Sequence, residues 1–370
     1  MNLTVAYDLL YHNWYVGEFY QKFTEKLKQI DGITVNKVSL REMCGQYGLK
    51  HDYNNGFPSI FSPYNLIIIN EDNGKTFIHS WHDYAPAMME NGSGIEKFDV
   101  VKFSCVSRLD QRTIDKYKEK YNVQPSFYIL ESWKDHNLID ENKSTEKTKN
   151  KIYFNGLCHG IREKFRQVLT QSAFFDFKNK NSDDYRTKEE YYKELSDYKY
   201  GLNLDGAAGI CYRDLEYFGM GTLLLRDELN VVCSDPIIEG VHYIKIVDQE
   251  IKNLINNNDN HPLVLSKIEK NVLNALMSYD INQITKNAKE WFDRNCLPEN
   301  QIELMLSYLE DFKIFEGDSK ENGQEILTED ENDVEINVST ESNTKLEIIN
   351  NIENKLFLIL EEINKLKSKF

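Results

Sequence analysis

The 370-residue chain holds no apolar run near the ~18–20 residues that a membrane-spanning helix needs. Cysteine is sparse: Cys44, Cys105, Cys158, Cys211, Cys233 and Cys296 are scattered, with no Cys-x-x-Cys and no zinc spacing. That excludes a disulfide framework and a zinc module, and fits the reduced thiols of an intracellular protein. Positive charge is in short supply, with 44 Lys and Arg against 60 Asp and Glu and a net charge of -16. Neutralised phosphates dominate nucleic-acid binding, so a basic face for a polymer is excluded, while a local positive pocket for one nucleotide is not. No Gly-x-Gly-x-x-Gly follows the first apolar run, which leaves a dinucleotide-dehydrogenase reading without a fingerprint. No Asp-x-Asp follows a predicted strand in either half, so no metal site is expected. The opening Met-Asn-Leu-Thr-Val-Ala-Tyr-Asp lacks the basic and apolar regions of a secretory signal, and a cytoplasmic protein is expected.

What is present is an α/β pattern, written twice. In the first half, Asn2 to Tyr7, Ile33 to Leu40, Asn65 to Asn70, Thr76 to Trp81, Asp99 to Val106 and Phe127 to Leu130 read as strands. Gly17 to Gln29 and Arg112 to Tyr121 carry apolar residues at helical spacing. The unbroken Asn65-Leu-Ile-Ile-Ile-Asn70 reads as a strand buried on both faces of a parallel sheet. Trp133 to Asn150 is polar and lysine-rich and reads as a linker. The pattern resumes with strands at Lys151 to Gly156, Ala173 to Phe177, Tyr200 to Leu204, Thr222 to Leu225 and Tyr243 to Val247. Helices are expected over Ile161 to Thr170, Lys188 to Asp197, from Tyr212-Arg213 onward, and through most of Gln249 to Phe315. The domains are therefore drawn as an N-terminal Rossmann-like domain (1–135), a linker (136–150), a second Rossmann-like domain (151–316), an acidic disordered linker (317–343) and a helix (344–370).

In that last segment Ile349, Ile352, Leu356, Ile359, Ile363, Leu366 and Phe370 alternate by three and four, a coiled-coil seam of about three heptads. A homo-oligomer is expected through it. Isoleucine at both core positions favours a trimer or tetramer over a dimer. The alternative is one amphipathic helix packed back on the body.

The stretch with most chemistry is Tyr198 to Arg226, a buried strand, a turn of small residues, a helix start and another buried strand. Asp205-Gly206-Ala207-Ala208-Gly209 clears side-chain bulk where the chain turns. Amides left free at a positive helix end suit a phosphate, and Arg213 adds a fork-shaped cation. The plain alternative is a strand–turn–helix whose small residues serve close packing.

The run of motifs here resembles glycosyltransferase family 90, the protein O-glucosyl- and O-xylosyltransferases and capsule-associated transferases. It comprises Phe154-Asn-Gly156 with Arg162, Tyr198-Lys-Tyr200, Leu202-Asn-Leu-Asp-Gly206, Tyr212-Arg213, Thr222 to Leu225, Gly240-Val-His-Tyr-Ile244 and Ala288 to Asn295. Their order and spacing hold over about residues 151–300. The resemblance implies a GT-B-type fold of two Rossmann-like domains and an inverting, metal-independent transferase with a nucleotide-sugar donor, a UDP-sugar above others. It puts Gly156, Arg162, Asp205, Gly206, Ala207, Ala208, Tyr212, Arg213 and His242 at the donor. Tyr212 and His242 are equally readable as packing residues. No cofactor is implied beyond the co-substrate, and the acceptor is a glycan, lipid-linked or protein hydroxyl.

Inversion also needs a carboxylate base across the cleft. Asp72, just past the Asn65–Asn70 run, and Asp83, in His79-Ser-Trp-His-Asp-Tyr84, are the candidates, with Glu71 behind them. His12 and Trp14, in the first strand-to-helix loop, are placed at the acceptor. A non-catalytic sugar-binding or assembly protein keeping the fold is the competing class; only the enzyme requires Arg213 and a base together.

Overall fold

A computed structural model describes residues 1–8, 16–46, 65–80, 98–103, 111–121, 123–124, 133–143, 146–156, 158, 160–179, 187–204, 209–233, 235–257 and 261–311. Two compact units divide the chain, Met1–Asp318 and Ser319–Phe370. The second, with the predicted acidic linker and coiled-coil helix, lies outside the described residues. So do His12, Trp14, Asp83, Asp205, Gly206, Ala207, Ala208 and the strand expected at Phe127 to Leu130. No helix among the described residues is long and apolar enough to cross a membrane.

The first unit is mixed α/β, built on two sheets. The N-terminal sheet contains β1 (Asn2–Ala6), β2 (Thr34–Val38), β3 (Asn65–Asn70), β4 (Thr76–Ser80), β5 (Val100–Phe103) and β6 (Val123–Gln124), in the order β2-β1-β3-β4-β5-β6. It is not purely parallel. β3 pairs antiparallel with both β1 and β4, while β1–β2, β4–β5 and β5–β6 are parallel. The cause is local: Glu71–Lys75 is too short for a crossover, and Gly74, at φ 73°, turns the chain straight back into β4. β3 is buried along its whole length, as its apolar run requires. Helices α1 (Val16–Leu27), α2 (Leu40–Gln46) and α3 (Gln111–Tyr121) belong to this half.

Trp133 to Asn150, expected as a linker, instead contains helix α4 (Trp133–Asn142) and the start of the next strand. The helix has few apolar residues, yet Leu138 and Ile139 are buried, and fully buried Asp135 pairs with Lys188 at 2.7 Å. An ion pair, invisible to hydrophobic spacing, helps to dock it.

The C-terminal sheet is entirely parallel: β7 (Lys149–Gly156), β8 (Phe175–Asn179), β9 (Tyr198–Asn203), β10 (Leu223–Asp227) and β11 (Ile244–Val247), in the order β11-β10-β9-β7-β8. Around it lie α5 (Ile161–Leu169), α6 (Lys188–Leu195), α7 (Tyr212–Gly219), α8 (Gln249–Asn256), α9 (His261–Ser278), α10 (Ile281–Cys296) and α11 (Pro298–Asp311). Their ends follow capping chemistry. Thr187 and Glu190 form a capping box on α6, and Asp248 and Asp280 cap α8 and α10. One apolar cluster, with Phe154, Phe165, Leu202, Leu225 and Ile268, fills one face of the sheet. A larger one, with Tyr153, Tyr217, Phe218 and Trp291, fills the other and runs on into Leu3, Phe19, Phe23 and Ile68 of the N-terminal half. Helix α11, placed by the sequence in the second domain, lies against that half: Glu303 meets Lys26 at 3.7 Å, and Lys102 sits 3.6 Å from the ring centre of Tyr308. Cys158, Cys233 and Cys296 are buried free thiols.

Candidate active site

In the parallel sheet β8 lies on one side of β7, while β9, β10 and β11 run off on the other. The connections therefore diverge between β7 and β9, and open parallel sheets hold ligands outside the strand ends beside such a gap. The two ends here are Gly156 and Asn203.

Arg213, the second residue of α7, occupies this place. Its Nη1 donates to Asn203 Oδ1 at 3.1 Å, and its Cζ lies 4.6 Å from the ring centre of Phe154. The guanidinium lies so close over the end of β7 that a Cβ on Gly156 would stand 1.8 Å from Nη2 and 2.7 Å from Cζ. Gly156 thus serves close approach, not an unusual backbone angle. The Nε of Arg213 is buried without a hydrogen-bond partner. Burial works against its charge, but the phenols of Tyr217 and Tyr191 and the carboxyl of Glu216 hold its pKa above the usual arginine value. A retained cation with an uncommitted donor suits an anion.

Arg162, expected as a second phosphate anchor, is committed within the protein. Its Nε and Nη2 donate to the carbonyl of Leu204 at 3.0 and 2.6 Å, and Nη2 lies 3.2 Å from Cys211 Sγ. It thereby ties Leu204 to Cys211, which lie on either side of residues 205–208 in the sequence. A buried pair supports the far flank. Arg226, 1% exposed, donates to Asp214 at 2.8 Å and to Gly209 O at 3.2 Å. Asp214 also accepts from Asn203 Nδ2 at 2.7 Å and from the Cys211 amide at 2.9 Å. That last bond satisfies an amide at the start of α7 from inside, which leaves more of the anion-holding capacity with Arg213.

One turn along α7, Glu216 is 7% exposed and accepts from Tyr191 Oη at 2.8 Å. Burial first, then nearby Asp135, pushes its carboxyl up to about 7. Tyr217 Oη donates to Tyr153 O at 3.0 Å and Leu202 O at 3.3 Å, and its ring is 2.6 Å from where a Cβ on Gly201 would lie. Tyr212 is half-buried against the larger apolar cluster. His242 lies ahead of β11, where its Nδ1 accepts from the Ile238 amide at 2.9 Å and its ring stands 6.4 Å from that of Trp291. This is a packed corner of its own loop, and nothing brings it to Arg213. A cavity of about 340 Å³ lines the outer strand β11 with Lys245, Asn271 and Tyr279, two strands from the β7–β9 gap.

Asn203, Asp214, Glu216, Arg226 and Tyr191 were not singled out from the sequence. Arg226 and Asp227 carried a usable signal: charges ending the apolar run Leu223 to Leu225 need partners when the strand is buried. Glu216 carried one only in its company, since Asp214 to Gly219 are all buried.

In the N-terminal sheet, strand direction separates the candidate carboxylates. β1, β2, β4, β5 and β6 share one carboxyl edge, and β3 ends at the opposite one. Asp72 is there: its carboxylate accepts from the Asn2 side chain and the Asn2 amide, each at 2.9 Å, and lies 3.8 Å from the chain's own ammonium. Those hydrogen bonds lower its pKa. Both Asp72 and Glu71, whose amide donates to Asn2 O, are thus at the edge opposite the carboxyl ends of the other five strands. Asp83 follows β4, whose carboxyl end is at the shared edge. His79 on β4 is fully buried beside Tyr20 Oη at 2.7 Å, and burial, with Lys102 adding, pushes it down to about 3, so it stays neutral.

No family model matches the chain, and no curated protein matches it. The resemblance to glycosyltransferase family 90 rests on its motifs alone. Among solved structures, the chain is similar to TarM (12% identity, 68% of this chain and 64% of that one, TM-score 0.32). It is also similar to a glycosyltransferase from Rickettsia africae (12%, 84% and 97%, TM-score 0.36). A third likeness is the pneumococcal O-GlcNAc transferase GtfA in complex with UDP and GlcNAc (9%, 68% and 65%, TM-score 0.35). The chain spans just under two thirds of the TarM and GtfA chains. At such identities and TM-scores none of these likenesses bears on what the chain does.

Proposed function

We propose that the chain is a glycosyltransferase that moves a sugar from a nucleotide-sugar donor, a UDP-sugar first among them, to a hydroxyl acceptor with inversion. The observation that carries this is Arg213: a cation across the β7–β9 gap, over a glycine that lets it lie flat, with a buried donor unmatched. As the donor's glycosidic bond breaks, the leaving diphosphate gains charge, and a preorganised guanidinium with the amides of the 205–209 turn stabilises it without a metal. Arg162, Arg226 and Asp214 hold Leu204, Gly209 and Cys211, the described residues that flank 205–208. Asp83, beyond the carboxyl end of β4, takes the base role, and His12 and Trp14, beyond that of β1, the acceptor.

Calorimetric titration with UDP- and GDP-sugars tests the reading. Arg213→Ala is expected to weaken nucleotide binding about 100-fold, the loss of a charge-assisted pair, in a variant that still folds but melts at a lower temperature, since its bond to Asn203 and its packing on Phe154 are lost. Binding by neither nucleotide class, or an unaffected variant, would overturn it. We further propose self-association through 344–370. Deleting Lys345 to Phe370 is expected to lower the mass seen by light scattering, and an unchanged mass refutes that part alone.

A further inference from the structure

The donor reading uses Arg213 and leaves the buried carboxyl beside it unexplained. Glu216 follows Arg213 by three residues on α7, so the two side chains leave the helix on one face. The groups about Glu216 are few. From α6, Tyr191 Oη donates to Oε2 at 2.8 Å, and Lys188 lies nearby, itself paired with Asp135 of α4 at 2.7 Å. Also from α4, His136 packs on Phe292 of α10 with ring centres 6.0 Å apart, and burial pushes it down to about 4, so it is neutral near pH 7. α10 brings buried Ala288, Trp291 and Phe292, none of them charged. α7 itself brings Tyr217, whose proton burial holds, and Arg213.

Arg213 is the cation on Glu216's own helix, and the buried carboxyl of Glu216 acts on its charge. The two form no ion pair: the guanidinium leans over Gly156 towards Asn203, while the carboxyl faces Tyr191. We propose that Glu216 is a positioning residue that acts through Arg213 across the shared face of α7: when ionised its charge offsets the guanidinium that meets the donor phosphate, and when neutral it leaves the phosphate the full positive charge. This rests on the donor reading above and adds a control to the same site. The sign follows. The carboxyl is pushed up to about 7, so near pH 6 it is mostly neutral and the site keeps a full positive charge. Above neutrality it ionises, and the net attraction for an anion falls.

The test is calorimetry on the full chain with UDP-glucose, a diphosphate diester whose charges are fixed between about pH 6 and about pH 8. Wild type is expected to bind about fivefold more weakly at the higher pH, the low end of a typical coupling between sites. Glu216→Gln keeps an acceptor for Tyr191 and is expected to bind equally at both. Tyr191→Phe removes a hydrogen bond that favours the ionised form, so its fall in affinity is expected to begin at higher pH. A wild-type pH dependence that survives in Glu216→Gln, or no dependence at all with binding intact, overturns this inference and leaves the donor reading standing. Absence of UDP-glucose binding at either pH, in every variant, overturns both.

Discussion

In the C-terminal sheet all five strands point one way, and the ends of β7 and β9 meet at Arg213. In the N-terminal sheet β3 runs against its neighbours, and the carboxylate that follows it is carried to the far edge. The pair teaches that a residue just past a strand is a site candidate only once the strand's direction is known. Gly156 and Asp72 are each adjacent to a strand end in sequence. One lies beneath a guanidinium at the divergence of the connections; the other ties down the start of β1.

The largest expected effect separates the two edges directly. Asp83→Asn is expected to lower kcat by about 10²–10⁴, the usual contribution of a general base, with donor binding kept. Asp72→Asn is expected to leave kcat within error. The reverse result would mean that the acceptor lies at the other edge of the sheet, and the contrast drawn here would fail. Next comes Gly156→Ala, expected to displace the guanidinium of Arg213 and weaken nucleotide binding about tenfold, at a stability cost of about 1–2 kcal/mol for overpacking. Unchanged affinity would show that Arg213 does not hold the donor where it now lies. The smallest effect is on thermal stability in Asp72→Asn, a slight fall in melting temperature from the lost bonds to Asn2.

Much of this was readable in the residues. Strands β1 to β5 and β7 to β11 stand where alternation and apolar runs put them, while β6 was not read from the sequence and Phe127 to Leu130 lies outside the described residues. Gly156 and Arg213, two residues assigned to one site by resemblance, lie against each other. The direction of β3 was also readable and went unread. Asn73-Gly74 between two apolar runs is a strong hairpin signal, and the unbroken run of Asn65 to Asn70 reports burial on both faces, not parallel pairing. Other features leave no trace in a periodic pattern. Helix α4 docks partly through the Asp135–Lys188 pair, 53 residues apart. Arg162 reaches the carbonyl of Leu204 across 42 residues, so a side chain that reads as a phosphate ligand also braces the chain, which no local pattern shows.

The hydroxyl of Tyr217 has a consequence for assembly. It binds Tyr153 O, 64 residues earlier, and Leu202 O, 15 earlier, so both bonds form only when β7 and β9 already lie side by side. Closing the longer loop carries the larger entropic cost. Helix α7, with Arg213 at its opening, is thereby latched to both strands that flank the gap. A misregistered sheet leaves that latch open and the cation without its seat over Gly156. On the proposed function, nucleotide binding would report that the long-range pairing of this sheet is complete.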